Sequence, residues 1–276
     1  MTSKDDKRHH LDSMLMRESM VDKEVMASTE GSVPVVRMLP HVHIMKIGAS
    51  SILEAGKDVT YPVVDVLNKI LEKDKLILST GGGVRSRHVF SIGIDLGLPT
   101  GVLAQLSAAD ALGNAHILGT LLSPVGVVAI PPEIFGHLLP LFIRSAPGVI
   151  FNGVPPYNLW EHLPAIGRIP PNRSDAGSFL LGECFGCKTV TLVKDVDGLY
   201  DSDPKKNPDA DFIPKIGARE LQQRNIKTLP FDRILLDLLH NTRLVHQFQV
   251  VNGHKPETIA AAVRGEHVGT IIHADN

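Results

Sequence analysis

The segment 194–204 concentrates side chains that could bind a charged ligand. It follows residues 189–193, an apolar run that predicts a buried strand, and open α/β sheets bind their ligands beyond the carboxyl ends of the strands. Lys194 could bind a phosphate, the aspartates could bind sugar hydroxyls or a metal ion, and Tyr200 offers an aromatic ring. Asp-Gly and Asp-Pro pairs are also ordinary turn formers. This segment alone therefore fits a ligand site and a surface turn equally well.

Two glycine-rich turns follow two earlier predicted strands. The first is Lys46-Ile47-Gly48-Ala49-Ser50, and the second runs from Gly81 through Gly82 and Gly83 to Arg85. Glycine lets several main-chain N–H groups approach a phosphate closely, and each turn precedes a predicted helix whose N-terminus favours an anion. Neither turn has the spacing of a P-loop or of a G-x-G-x-x-G fingerprint. One such turn is usually structural, but two of them together with the acidic segment predict an anion site.

Strands alternate with helices around these motifs. The apolar runs predict strands at 41–47, 75–79, 125–130, 148–152, 189–193, 247–251 and 269–272. Helical spacing of apolar residues predicts helices at 59–73, 86–96, 107–122, 174–185, 219–224 and 232–242. This alternation predicts an α/β fold whose mostly parallel sheet is covered on both faces. Residues 1–36 are charged and free of aromatics, so we expect an arm there and one domain over 37–276.

Composition excludes several classes of protein. The net charge of −2 provides no basic field for nucleic acid. The most apolar stretch, 125–151, contains prolines, Glu133 and Arg144, which argues against a membrane span. Cys184 and Cys187 have no second pair with which to form a zinc site, so we expect both to be buried in packing. The N-terminus lacks a signal-peptide pattern, and a chain with only two cysteines fits a reducing cytoplasm. We therefore expect a cytoplasmic location.

The motifs and their order resemble the amino acid kinase family over residues 37–273. The resemblance rests on the Lys-x-Gly turn, the triple glycine, the helix start Ser174-Asp175-Ala176, the segment 194–204 and the closing segment 265–270. It implies a three-layer αβα sandwich, the amino acid kinase fold, that binds ATP and Mg²⁺. It also implies phosphate contacts from Lys46 and Lys194, and a role for Asp175 in organising the lysines or the metal.

The turns and the resemblance together nominate fifteen residues for the nucleotide and its metal. Those residues are Lys46, Gly48, Ser50, Gly81, Gly82, Gly83, Arg85, Asp175, Lys194, Asp195, Asp197, Gly198, Tyr200, Asp203 and Pro204. The resemblance places the last six of them around the nucleoside. One departure from the family pattern is Ala49, which stands where the family has a second glycine.

Further segments resemble the members of this family that store molybdenum or tungsten. They are residues 85–93, 97–104, 155–157, 169–171 and 265–270. This resemblance implies a hexamer, a trimer of dimers, built from this chain alone or with a paralogous subunit. ATP hydrolysis would load molybdate or tungstate as polyoxometalate clusters, with no transfer to a small-molecule acceptor. The alternative is a UMP kinase-like phosphotransferase, but the proline-rich insert 155–171 has no evident use in an acceptor pocket.

Three histidines are candidate ligands for the stored metal. His116 and His137 flank the region before the proline-rich insert, and His162 lies inside it. Imidazole can ligate a metal, and it can donate or accept protons near neutral pH as oxyanions condense. Taken singly, each histidine fits an ordinary surface position, so only their clustering favours a metal site.

Overall fold

The computed structural model describes residues 35–155, 169–204 and 206–275, together with Lys23 and Glu24. The chain divides into two units, 1–36 and 37–276, and the elements below belong to the second. The expected role of residues 1–36 as an arm stays a prediction.

The first half of the second unit contains four strands and four helices among the described residues. They are β1 (Val42–Ile47), α1 (Lys57–Leu71), β2 (Lys75–Thr80), α2 (Gly83–Asp95), α3 (Thr100–Leu122), β3 (Val128–Ala129), α4 (Phe135–Ser145) and β4 (Gly148–Phe151). The second half continues with α5 (Ser174–Phe185), β5 (Thr189–Lys194), β6 (Leu199–Tyr200), β7 (Phe212–Ile213), β8 (Lys215–Gly217), α6 (Ala218–Arg224), α7 (Ile234–His240), β9 (Gln247–Asn252), α8 (Pro256–Val263) and β10 (Thr270–His273).

Eight strands form one sheet in the order β3-β4-β2-β1-β5-β9-β10-β8. Every neighbouring pair is parallel except β9 and β10, which are antiparallel. The chain passes from β1 to β2 on one side and later returns to β5 on the other side of β1. A crevice therefore opens at the carboxyl ends of β1, β2 and β5, where a doubly wound sheet places its ligands.

Two apolar cores lie on opposite faces of this sheet. Along β1, Ile44 packs into the first core and Met45 into the second, as the alternation of a strand requires. Helices α4, α5, α6 and α7 contribute to the first core, and helices α1, α3 and α8 contribute to the second. The fold is a three-layer αβα sandwich, which confirms the predicted fold class.

Several details differ from the expectations. The strand expected at 125–130 is only two residues long, because Ser123–Val125 form a 3₁₀ turn that ends at Gly126 with φ of +86°. Cys187 is buried, which raises its thiol pKa to about 12, but the expectation for Cys184 was wrong because that residue is exposed.

Within the described ranges, no helix has both the length and the apolar character that a membrane span requires.

Candidate functional site

Three nominated residues come together at the carboxyl ends of β1 and β5. Lys46 pairs with Leu192 in the register of these parallel strands. Side chains at partner positions, and at positions two apart, lie on the same face of a sheet, so Lys46 and Lys194 point the same way. Asp175 stands in the first turn of α5, where the helix dipole stabilises a carboxylate.

Asp175 binds both lysines through its carboxylate. Lys46 Nζ lies 3.0 Å from Asp175 Oδ1, and Lys194 Nζ donates to Oδ2 at 2.7 Å and to Oδ1 at 3.0 Å. The main-chain N–H of Asp232 also donates to Oδ2, at 3.1 Å. All three charged side chains are nearly buried, with exposed fractions of 8% for Lys46, 4% for Asp175 and 13% for Lys194.

Burial and charge change the proton affinities of this cluster. Burial alone would raise the pKa of Asp175, but the charges of Lys194 and Lys46 outweigh it and hold the pKa well below its usual range. Burial, together with the positive charge of Lys46, lowers the pKa of Lys194 to about 8, although Asp175 opposes that change. Lys194 is therefore close to losing its proton under mildly alkaline conditions.

Two residues that the sequence did not nominate extend the cluster. Arg173 donates through Nε to Asp232 Oδ1 at 2.9 Å, and its Nη2 binds the same oxygen. Burial and the nearby charge of Asp175 raise the pKa of Asp232, and Arg173 opposes this change. Arg173 directly precedes α5, but its contact with Asp232 bridges 59 residues, and no local sequence pattern reveals it.

The cluster lines an open cavity of about 590 Å³. Its walls carry the cations Lys46, Arg87, Arg173 and Lys194 and the carboxylates Asp175, Asp195 and Asp232. Because Asp175 already pairs with both lysines, these two side chains are held in place by that carboxylate before an anion enters. Such a site suits a group with several oxyanions, of which the phosphates of a nucleotide are the obvious case.

The glycine-rich turns contribute unequally to the cavity. Gly48, Ser50, Gly81 and Gly83 line it, and a Cβ on Gly48 would lie only 3.0 Å from Val193 O. Gly82 is not among the residues that line the cavity within the described part of the chain.

Arg85, which the sequence nominated, points away from the cavity. Its guanidinium donates to Asn114 on α3, and it lines a separate shallow groove with Glu54 and Ile117. Arg87 takes the place beside the cavity and donates to Ser50 Oγ at 3.1 Å.

The predicted nucleoside segment lies beside the cavity, and of its residues only Asp195 lines it. The pKa of Asp197 is lowered by hydrogen bonds from Lys255, at 2.7 Å, and from Asn252, at 2.9 Å. Gly198 has φ of +152°, and a side chain there would collide with Thr270.

Tyr200 lies in the two-stranded sheet that β6 forms with β7. Tyr200 in β6 packs edge-on against Phe212 in β7, with ring centroids 5.4 Å apart, and Asp203 lies 3.7 Å from Lys206. Pro204 follows directly. Tyr200, Asp203 and Pro204 are not among the residues that line the cavity.

The histidine site is not tested by this structure. His116 is exposed on α3, whereas His162 and the side chain of His137 lie outside the described part. Among described residues, no group of three or more His, Cys, Asp or Glu side chains is arranged to hold a metal ion. Both oxygens of Asp175 have partners in the protein. A Mg²⁺ ion would be held by carboxylates of the cavity wall together with the phosphates of a nucleotide, as is common for this ion.

Comparison with known proteins gives the class of the chain. The model of the amino acid kinase family matches residues 42–246. The chain belongs to the amino acid kinase family, as the motifs indicated.

The relatives separate into two groups. The chain is 42% identical to "Molybdenum storage protein subunit beta" of Azotobacter vinelandii, over 96% of this chain and 97% of that protein. It is 25% identical to "Uridylate kinase" of Methanothermobacter thermautotrophicus, over 83% of this chain and 97% of that enzyme. The crystal structure of uridylate kinase from Archaeoglobus fulgidus superposes with a TM-score of 0.64 at 20% identity, covering 83% of this chain and 99% of that one. The last similarity concerns the fold alone.

Proposed function

We propose that this protein stores molybdenum or tungsten as oxyanion clusters and that ATP bound in the charged cavity drives their loading. The observation that carries the proposal is the 42% identity with a molybdenum storage protein subunit, which extends over nearly the whole of both chains. The similarity to uridylate kinases is lower, at 25% for the relative from Methanothermobacter. The storage role is therefore favoured over phosphate transfer to a nucleoside monophosphate.

In this proposal the cavity binds the triphosphate of ATP. Lys46 and Lys194 contact the phosphate oxygens, and Asp175 keeps both ammonium groups in place when no ligand is bound. Mg²⁺ bound to the phosphates would neutralise part of their charge and polarise the terminal phosphoryl group. Water would then take the terminal phosphoryl group, so that hydrolysis supplies the free energy for concentrating the oxyanion.

Storage also requires assembly, and the surface supports self-association. Large apolar side chains are exposed on α2, just after it and on α3, with exposed fractions of 56% for Val84, 67% for Leu96 and 50% for Ile117. Exposed apolar patches often mark contacts between proteins. A hexamer, formed by this chain alone or with a paralogous subunit, would enclose the volume that a cluster needs.

The proposal is tested by ATP-dependent metal retention. Metal-free protein is incubated with molybdate, with and without ATP and Mg²⁺, and molybdenum is measured after gel filtration. We expect retention only with ATP, and strongly reduced retention in Lys194→Ala, because a lost charge-assisted contact weakens binding by about 1.5–3 kcal/mol. Phosphate transfer from ATP to UMP without retention of molybdenum would instead establish the kinase alternative.

The three histidines stay a prediction that the same assay can test. We expect a double His137→Ala, His162→Ala variant to retain less molybdenum while it hydrolyses ATP normally, because imidazoles would nucleate the cluster away from the nucleotide. His240→Ala is a matched control, because that imidazole is hydrogen-bonded to Gln222 and neither residue lines the cavity. Normal retention by the double variant would remove these histidines from the metal site.

A further inference from the structure

Arg173 and Asp232 form an ion pair that joins two distant segments at the wall of the cavity. Arg173 directly precedes α5, and Asp232 lies just before α7. The Nε of Arg173 donates to Asp232 Oδ1 at 2.9 Å, and its Nη2 binds the same oxygen. The Asp232 side chain is only 11% exposed. This pair therefore ties the segment before α7 to the start of α5.

The same two segments are joined a second time at Asp175. The main-chain N–H of Asp232 donates to Asp175 Oδ2 at 3.1 Å. Lys46 and Lys194 also bind this carboxylate, but each of them ends a flexible side chain, whereas the backbone fixes the direction of the N–H. The contact from Asp232 can therefore set the orientation of the Asp175 carboxylate, and Arg173 contributes to that orientation by holding Asp232.

Asp232 also carries a charge that would disturb the cluster if it were left uncompensated. Burial lowers the pKa of Lys194, and the charges of Asp175 and Asp232 oppose this change, so the Asp232 carboxylate lies within electrostatic reach of the Lys194 ammonium. A buried carboxylate without a partner is costly, and it would compete with Asp175 for this lysine. Arg173 supplies the compensating charge, which leaves Lys194 paired with Asp175.

We propose that Arg173 is a positioning residue that neutralises and holds Asp232, so that Asp175 presents Lys46 and Lys194 to the phosphates of bound ATP. In this role Arg173 acts through Asp232 and needs no contact with the nucleotide. The inference rests on the proposed binding of ATP in the cavity.

The test is a double-mutant cycle in which calorimetry measures the binding of ATP with Mg²⁺. Arg173→Gln leaves the Asp232 carboxylate without its partner, so we expect roughly tenfold weaker binding. Asp232→Asn keeps the main-chain N–H and removes the charge that Arg173 neutralises. We therefore expect Arg173→Gln to weaken binding by less than about twofold when Asp232→Asn is already present.

Two further variants separate this role from a loss of folding. Arg233→Gln is the matched control, because it removes a guanidinium from the same segment, where Nη2 donates to Ile226 O at 2.6 Å, and it should bind ATP like the wild type. Arg173→Lys restores the positive charge. Because both nitrogens of Arg173 bind one oxygen, an ammonium group can replace them, and binding should return to within about threefold of the wild type. Thermal unfolding checks that every variant is folded at the temperature of the calorimetry.

The possible results decide between direct and indirect roles. Equal weakening by Arg173→Gln with and without Asp232→Asn would show that Arg173 contacts the phosphates itself, and it would overturn the inference. Loss of ATP binding in Asp232→Asn alone would also overturn it, because the Asp232 side chain would then serve the ligand directly. A loss in Arg173→Lys as large as in Arg173→Gln would contradict the neutralising role. Absence of ATP binding by the wild-type protein would overturn the nucleotide assignment as well.

Discussion

At the scale of single residues, one carboxylate holds two lysines near the cavity. The buried group of Lys46, Asp175 and Lys194 carries a net positive charge when all three are ionised. Buried charges are costly unless they are paired, and Asp175 can neutralise only one lysine fully. A phosphate that enters the cavity would supply the missing negative charge, so the cluster is suited to binding an anion.

The lowered pKa of Lys194 makes the site sensitive to alkaline pH. Its pKa falls from an ordinary value of 10.5 to about 8, whereas a terminal phosphate, with a second pKa of about 6, is already ionised there. Above pH 8 the cavity therefore loses a charge while ATP keeps its own. We expect calorimetry to show ATP affinity falling by up to roughly tenfold per pH unit above pH 8.5, because binding then requires uptake of a proton.

Lys194→Arg is the matched control, because its guanidinium stays protonated across this range. The variant should bind ATP with an affinity that is flat between pH 8 and 9.5. An equally steep fall in both proteins would show that another group titrates. The same pKa shift makes the contribution of Lys194 to the free energy of unfolding rise between about pH 8 and 10.5, because the unfolded chain keeps the proton that the folded chain has released.

Some residues of this cluster could be predicted from the sequence because they lie beside local signals, whereas Asp232 could not because only the tertiary fold brings it to the site. Lys46 lies near the end of one predicted strand, Lys194 directly follows another, and Asp175 lies at the start of a predicted helix, so local pattern and family resemblance were enough to nominate them. Asp232 enters the site only because the chain between α6 and α7 folds back over α5. Arg85 and Arg87 are two residues apart in the sequence, and their contacts differ in the structure: Arg85 binds Asn114, whereas Arg87 lines the cavity.

At the scale of elements, the start of α2 is fixed from outside the cavity. Both carboxylate oxygens of Glu54 accept from the N–H of Val84 at 3.1 Å. Gly83 has φ of +66°, and a Cβ there would collide with the same carboxylate. Gly97, just beyond the other end of α2, has φ of +67° but nothing within 4 Å of such a Cβ.

Alanine substitutions at Gly83 and Gly97 distinguish the cost of backbone strain from the cost of losing the contact between Glu54 and the start of α2. Both Gly83→Ala and Gly97→Ala should lower the free energy of unfolding by about 1–2 kcal/mol, the cost of a left-handed conformation with a side chain. Gly83→Ala should cost about 1 kcal/mol more, because Glu54 must release the N-terminus of α2. Urea unfolding measures both values, and equal losses would show that Glu54 does not fix this helix.

The predictability of the elements follows their local signals. Strands β1, β2 and β5 are short segments rich in apolar residues that end at polar or glycine-rich turns, and they lie where the sequence predicts them. Helix α4 was missed because Pro140 lies inside it and proline argues against a helix interior. Helix α8 was missed because it has only eight residues and opens with Pro256, so its apolar period is short.

At the scale of the whole molecule, the fold and the function rest on different evidence. Alternation of strands and helices was enough to predict a mostly parallel sheet covered on both faces, because its physical basis is local periodicity, and the family resemblance implied the three-layer sandwich. In the proposed storage role the clusters lie in a volume enclosed between subunits, and a single chain does not display such a volume. The uridylate kinase of Archaeoglobus fulgidus has the same fold at 20% identity, so the fold alone does not separate the two functions.

The most direct test is elemental analysis of the protein purified from cells grown with molybdate, and in parallel with tungstate. We expect many molybdenum or tungsten atoms per chain, because a cluster contains many metal atoms at one nucleation site. These atoms should elute together with the protein in gel filtration. A content at or below one atom per chain would contradict the storage function and promote the phosphotransferase alternative.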